Sequence, residues 1–311
     1  MVITVTLNPA LDKTLILEDF TPGMVNRALS VRQDIGGKGI NVSKVLKEFG
    51  VQSICTGFLG GNLKELFLRE LKSKGIDSDF VSIRGNTRTN TKVVDRVKNE
   101  FTDINEPGAV IEKDELEEFL GKFEKIVKSG DTVVLSGGAS SSVPKDIYRT
   151  LTEIAKNRGA YVLVDAEGEL FEEALKAGPD AVKPNDFELS LLEGRKLESD
   201  EDILAAARRL MDKGVGKVMV SLGGDGSMYV TKDRAFRAKG LKVPVKSTVG
   251  AGDSMVAALV YARLKGLDDK ETLANAQAFG AATVTLEGTQ ACTPSDIAPY
   301  LSLAFTKITE V

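Results

Sequence analysis

The 311-residue sequence contains no histidine, which removes at one stroke the commonest general base and the commonest nitrogen ligand for metals. A Ser-His-Asp triad and a histidine-ligated zinc centre are both excluded. Cysteine is scarce too. Cys55 and Cys292 are the only two, in no metal-binding spacing, so neither a disulfide framework nor a thiolate metal site is expected and both thiols should be reduced, buried and inert. No apolar run approaches the ~20 residues that a membrane-spanning helix needs; Met255 to Ala262, among the longer ones, is far too short. A basic excess is also missing. Lys and Arg number 41 against 45 Asp and Glu, a net charge of −4, which gives no bulk attraction for nucleic acid or an anionic membrane. Any phosphate binding must therefore come from a focused site for small anions. What remains for chemistry is carboxylates, lysines, arginines, backbone amides and hard cations held by oxygen, an inventory suited to phosphoryl transfer.

With 42% apolar and 28% charged residues the composition is that of an ordinary globular protein, long enough for one large domain with an appendage. The opening Met1–Val5 reads as a strand with no basic stretch before it, so no signal peptide and a cytoplasmic location are expected. Apolar β-rich runs (Val2 to Leu7, Thr132 to Leu135, Tyr161 to Asp165, Ala181 to Lys183, Lys217 to Ser221) alternate with stretches of three-and-four apolar spacing (Lys38 to Phe49, Leu63 to Lys74, Lys113 to Val127, Lys145 to Asn157, Leu170 to Ala177, Asp202 to Lys213). This alternation predicts a three-layer α/β/α fold around a mostly parallel sheet. From Ala251 onward the pattern is nearly all helical. Two segments, Lys13 to Ile35 and Thr89 to Ile104, carry short strand-like runs with no helix following, and are expected to form one small discontinuous β-sheet lid.

Four motifs carry candidate chemistry. Gly36-Gly37-Lys38-Gly39-Ile40-Asn41 precedes a helix, where glycines admit a ligand to backbone amides and Lys38 supplies charge; the plain alternative is a glycine-rich turn. It is not a Walker A loop. Ser247-Thr248-Val249-Gly250-Ala251-Gly252-Asp253-Ser254 leads into a helix whose first amides, at Gly250, Ala251 and Gly252, can form an anion hole. Asp253 then sits in the first turn, where it is either a dipole partner or a base; the dipole is expected to keep it ionised and weakly basic. Lys183-Pro184-Asn185-Asp186-Phe187-Glu188 closes a strand, with Asn185 and Glu188 either a capping box or a hard oxygen site near Mg²⁺, reached through water. Ser221-Leu222-Gly223-Gly224-Asp225-Gly226 suits a nucleotide's ribose and phosphates, and equally a hairpin.

The order of these motifs, with Asn8-Pro9-Ala10-Leu11-Asp12, Gly57-Phe58-Leu59-Gly60-Gly61 and Thr87-Arg88-Thr89-Asn90-Thr91-Lys92, resembles the PfkB carbohydrate kinase family, with its ribokinase-like fold, over essentially the whole chain. Thr248 to Ser254 is the most specific match. Within the family the sequence is most similar to the 1-phosphofructokinases and tagatose-6-phosphate kinases. The resemblance implies one kinase domain over residues 1–311, with the discontinuous lid at about 13–35 and 89–104, and ATP and Mg²⁺ as cofactors. It further implies that Asp12 and Asn41 hold sugar hydroxyls, that Gly37 presents its amide, and that Lys38, Arg88, Asn90 and Lys92 surround the substrate phosphate. Asp253 would be the general base and Gly250 to Gly252 the anion hole. ATP would lie over Lys183, Asn185, the turn with Ser221, Gly223, Gly224 and Gly226, and Thr248, with adenine near the helix of Gln277 and Gly280. Lys38, Asn90 and Lys92 favour fructose 1-phosphate as substrate. One departure bears on that choice: Ser136-Gly137-Gly138-Ala139-Ser140 stands where the family usually reads Ser-Gly-Ser-Leu-Pro beside the substrate.

Other readings are a tagatose-6-phosphate kinase, a 6-phosphofructokinase or a non-catalytic sugar-phosphate sensor on the same fold. A sensor should have lost the base or the anion hole, and both are present. A dinucleotide-binding Rossmann unit needs Gly-x-Gly-x-x-Gly after the first strand, and Leu7-Asn8-Pro9 does not supply it. The exposed lid is expected to pair with a second copy as a homodimer.

Overall fold

The computed structural model describes all 311 residues. From the start the chain runs β1 (Val2–Thr6), β2 (Ala10–Leu17), β3 (Ser30–Gly36), α1 (Lys38–Glu48), β4 (Ser53–Gly60), α2 (Leu63–Ser73), β5 (Asp77–Ile83), β6 (Arg88–Asp95) and β7 (Glu100–Asn105). The middle adds α3 (Lys113–Ile126), β8 (Thr132–Ser136), α4 (Ile147–Asn157), β9 (Tyr161–Asp165), α5 (Gly168–Leu175), β10 (Ala181–Val182), α6 (Asp186–Glu193), α7 (Asp200–Asp212) and β11 (Lys217–Ser221). The last third is β12 (Gly226–Val230), β13 (Ala235–Lys239), α8 (Ala251–Lys265), α9 (Asp269–Val284), α10 (Pro294–Thr306) and β14 (Ile308–Glu310).

Ten strands form one sheet in the order β14-β13-β12-β11-β10-β9-β8-β1-β4-β5. Every pairing from β11 across to β5 is parallel. Parallel strands covered by helices on both faces read as continuous apolar runs, and β1 and β8 are buried along their full length. Alternation divides them: Ile3, Val5, Val133 and Leu135 pack with Phe119, Tyr148 and Leu210 of one helical layer. Val2, Val134 and Met219 pack with Leu46, Val256 and Phe279 of the other. The result is a three-layer α/β/α fold, as the resemblance implies.

The four remaining strands form a separate sheet, β3-β2-β6-β7, which joins the two strand-like segments distant in sequence. Its strands begin slightly earlier than the apolar runs predict, at Ala10 and Arg88.

One edge of the main sheet is antiparallel. The glycine turn after β11 is one 3-10 turn, Gly223–Asp225, and β12 returns antiparallel: the hairpin alternative is what forms. Beyond it β13 and β14 continue the antiparallel edge; the tail after Ala251 is nearly all helical, as expected, apart from β14, whose three residues carry too short a pattern to read alone.

Candidate active site

Because β4 and β8 flank β1 on opposite sides, the chain order reverses at β1, and such a switch point opens a crevice at the carboxyl ends of the strands. A cleft of about 1180 Å³ lies there. It is walled by strand ends at Asp165, Lys183 and Ser221, by the first turns of α1 and α8, and by Asp12, Arg88 and Asn90 of the small sheet.

The first motif places α1 by close approach. A Cβ on Gly37 would sit 2.5 Å from the Thr6 methyl, and one on Gly39 2.6 Å from Thr6 Oγ1 and the Val5 carbonyl. Their absence lets the helix start against β1, where the Ile40 amide donates to Thr6 Oγ1 (3.1 Å). One turn on, the Asn41 carboxamide donates to Asp253 Oδ2 at 2.9 Å. Asp12, in β2, accepts from Asn90 Nδ2 of β6 at 3.2 Å, and burial pushes its carboxyl up from the ordinary value.

Gly250 begins α8 in the left-handed region, with φ 82°. The amides of Gly250 and Gly252 make no hydrogen bond within the chain, whereas that of Ala251 turns back to the Thr248 carbonyl at 3.5 Å. Of the three amides expected to form an anion hole, two are therefore free within the chain and the third is held at 3.5 Å. Asp253 in the first turn is only 7% exposed. Burial, and then the charge of Asp165, push its carboxyl up to about 6, against the expectation of a weakly basic carboxylate held down by the helix dipole. Desolvation outweighs the dipole because the turn is covered.

Asp165, which no motif flagged, is 2% exposed, and neither of its carboxylate oxygens has a hydrogen bond. Lys183 Nζ stands 3.2 Å away and Lys38 Nζ 3.9 Å away. Asp165 in turn raises the Lys38 ammonium above its usual range. The available signal was the charged residue closing an apolar strand at the carboxyl end of a parallel sheet. Ser136, closing β8, likewise has a buried hydroxyl without a partner.

Asn185 and Glu188 form a reciprocal capping box: the Glu188 amide donates to Asn185 Oδ1 at 2.7 Å and the Asn185 amide to Glu188 Oε2 at 2.8 Å. The cap uses one of the two lone pairs of Asn185 Oδ1. Glu188 keeps Oε1, and its carboxyl is raised by burial. Opposite, Ser221, Gly223, Gly224 and Gly226 of the hairpin, Thr248, and Gln277 and Gly280 of α9 line the far end of the cleft. Gln277 Oε1 accepts from Ser227 Oγ at 2.7 Å, tying α9 to that hairpin.

Arg88 faces the cleft with its Nε buried and unpartnered, while its NH1 donates to the Glu106 carbonyl (3.0 Å). Lys92 does not join it. Four residues along β6, at roughly 3.3 Å per residue, it lies beyond the cleft wall and pairs with Asp103 at 3.4 Å. Every other candidate site residue named from the sequence lines this one cavity. Asn8 and Phe187, which lie within two of the motifs but were given no role, line it too, as do Leu241, Lys242, Val243 and Val245, which no motif marked.

The pattern of the pfkB family carbohydrate kinases matches residues 5–296. The 1-phosphofructokinase of Xanthomonas campestris pv. campestris is 37% identical over 300 residues, 95% of this chain and 94% of that one. A tagatose-6-phosphate kinase of Staphylococcus epidermidis is 33% identical over 283 residues, 90% of this chain and 91% of that one. Among solved structures, phosphofructokinase-2 from Escherichia coli in complex with substrates and products superposes with a TM-score of 0.93 at 30% identity, covering 97% of this chain and 99% of that one. The match spans both sheets and every wall of the cleft, and the chain belongs to the pfkB family of carbohydrate kinases.

Proposed function

We propose that this kinase transfers the γ-phosphoryl group of ATP to the 6-hydroxyl of fructose 1-phosphate, giving fructose 1,6-bisphosphate and ADP, with Asp253 as general base. The observation that carries the reading is a buried carboxylate at the start of α8, one oxygen held by Asn41 and the other without a partner in the chain, facing a cavity that also holds Lys38 and Lys183. Relatives named 1-phosphofructokinase at 34–39% identity support the choice of sugar.

The sugar lies between Asp12, Asn41, Asn90, the Gly37 amide and the free hydroxyl of Ser136. Its 1-phosphate meets Lys38 and the unpartnered Nε of Arg88. ATP occupies the other end, over Lys183, Asn185, the β11–β12 hairpin, Thr248, Gln277 and Gly280. As the bond between the γ-phosphorus and the bridging oxygen of ADP breaks, the sugar O6 bonds to phosphorus and its proton passes to the free oxygen of Asp253. In a loose transition state that proton leaves late, so a carboxylate titrating at about 6 is basic enough. The amides of Gly250 and Gly252 meet the charge on the transferring group. Asp165, with two carboxylate oxygens free of hydrogen bonds, and Glu188 Oε1 are hard donors that fit Mg²⁺, which neutralises phosphate charge when bound.

The small sheet acts as a lid over the sugar end, and as the face of a homodimer. Met24, Val25, Leu29, Val31, Phe101 and Ile104 on or beside it are 55–79% exposed, an apolar surface of the kind that pairs with a second copy.

Coupled ADP release with fructose 1-phosphate, tagatose 6-phosphate, fructose 6-phosphate and fructose tests the reading. The highest kcat/KM is expected for fructose 1-phosphate. A preference for tagatose 6-phosphate would reassign the sugar within the same chemistry, and no ADP release with any of them would leave a sensor.

A further inference from the structure

Lys44 is a buried cation with no carboxylate partner. It is 8% exposed on the second turn of α1, forms no salt bridge, and donates instead to the Ile35 carbonyl and to Asn41 Oδ1, the latter at 3.3 Å. Burying an ammonium in this way is unfavourable; burial pushes it down to about 8. An apolar side chain of similar length would fill the space without that cost, so the charge and its donors call for a role.

Asn41 supplies one. Its carboxamide bridges two groups of opposite demand, Lys44 Nζ on the oxygen side and Asp253 Oδ2 on the nitrogen side. Turning the amide over would set Nδ2 against an ammonium that has only donors and Oδ1 against a carboxylate that has only acceptors. We propose that Lys44 is a positioning residue for phosphoryl transfer: by holding Asn41 Oδ1 it fixes the amide so that Nδ2 always occupies Asp253 Oδ2 and the other carboxylate oxygen stays free for the acceptor proton. The inference rests on Asp253 being the base. Lys44 also secures the end of β3 through Ile35, next to Gly36, where a Cβ would lie 2.2 Å from Asp12 Oδ2.

A double-mutant cycle separates this role from simple packing. Lys44→Met, which is one atom shorter and removes the donors, is expected to lower kcat by about tenfold or more, the scale of one charge-assisted hydrogen bond. The KM for ATP should stay within about twofold, because Lys44 acts at the sugar end. Lys44→Arg, which restores donors, should recover most of the loss. In an Asn41→Ala background Lys44→Met should change kcat by less than about twofold, since the route through the amide is already gone. Multiplicative losses in the double variant, or a Lys44→Met enzyme within about twofold of wild-type kcat, would overturn the proposal. Should the methionine variant fail to fold, Lys44→Leu, which also lacks donors, is read by the same cycle with the same criteria. Asp253→Asn assayed alongside keeps the two assignments apart: if it turns over like the wild type, the base assignment fails whatever Lys44 does.

Discussion

Asn41 Nδ2 donates to Asp253 Oδ2 at 2.9 Å across 212 residues of chain, which places the helix after β3 and the helix after the Thr248–Gly252 loop on the same carboxylate. That carboxylate titrates at about 6 because burial and the Asp165 charge raise it, against the lowering by Asn41, Lys38 and Lys183. A base works only when deprotonated, so kcat/KM should be flat above this value and fall about tenfold per pH unit below it. A pH–rate profile checks the limb. In the metal-free protein Asp165→Asn removes the like charge and should move the titration of Asp253 to lower pH, read from its carboxyl carbon by NMR; a midpoint that stays in place would mean that Asp165 does not act on Asp253.

The same shift has a stability consequence. The folded value of about 6 lies above the ordinary 3.8, so the folded state prefers the protonated carboxyl. Stability from this group is full below the unfolded value and is lost as pH rises toward the folded one. Asparagine mimics the protonated form, so Asp253→Asn should stabilise the protein at pH 8 by up to about 3 kcal/mol and by little near pH 4. Thermal melts at the two pH values measure this. Equal Tm values at pH 8 would contradict the burial argument.

Metal dependence follows from the donor set. Activity should vanish in EDTA, return with Mg²⁺ or Mn²⁺, and survive zinc-selective chelators, since histidine is absent and the two cysteines are far apart. Asp165→Asn and Glu188→Gln should each raise the Mg²⁺ concentration needed for half-maximal rate. Unchanged metal titrations in both variants would take the metal away from these carboxylates.

Substrate preference tests the phosphate site. Fructose leaves Lys38 and Arg88 without their anion, and a charge-assisted hydrogen bond contributes about 1.5 to 3 kcal/mol, so kcat/KM should favour fructose 1-phosphate by at least roughly tenfold. Arg88→Ala should shrink that preference and leave any slow turnover of fructose little changed. Lys92→Ala, outside the cleft, should leave the preference intact. Equal losses on both sugars in Arg88→Ala would give that residue a structural task through the Glu106 carbonyl.

The parallel core was legible because buried parallel strands write themselves as short apolar runs, as Val2–Thr6 and Thr132–Ser136 do. The glycine motifs were legible because close approach leaves no substitute for glycine: Gly37 and Gly39 abut Thr6 and Val5. What stayed hidden depends on what lies opposite in space. Asp165 is one letter at a strand end, and its pairing with Lys38 and Lys183 exists only after folding. The rise of Asp253 could not be seen because neither its burial nor the Asp165 charge is local. Lys92 shares the strand alternation of Arg88 and Asn90, and only the distance along β6 removes it from the cleft. Asn185 and Glu188 fitted a cap and a metal site equally well by spacing; the cap forms, and one lone pair of Asn185 Oδ1 and one oxygen of Glu188 remain.

The central claim is that Asp253 takes the proton of the acceptor hydroxyl. Single-turnover phosphoryl transfer by Asp253→Asn, with ATP affinity measured by calorimetry on the same preparation, tests it most directly. Removal of a general base predicts a rate about 10² to 10⁴ lower, with ATP affinity nearly unchanged because the nucleotide lies over other residues. A variant that transfers the phosphoryl group within a few fold of the wild-type rate would contradict the account.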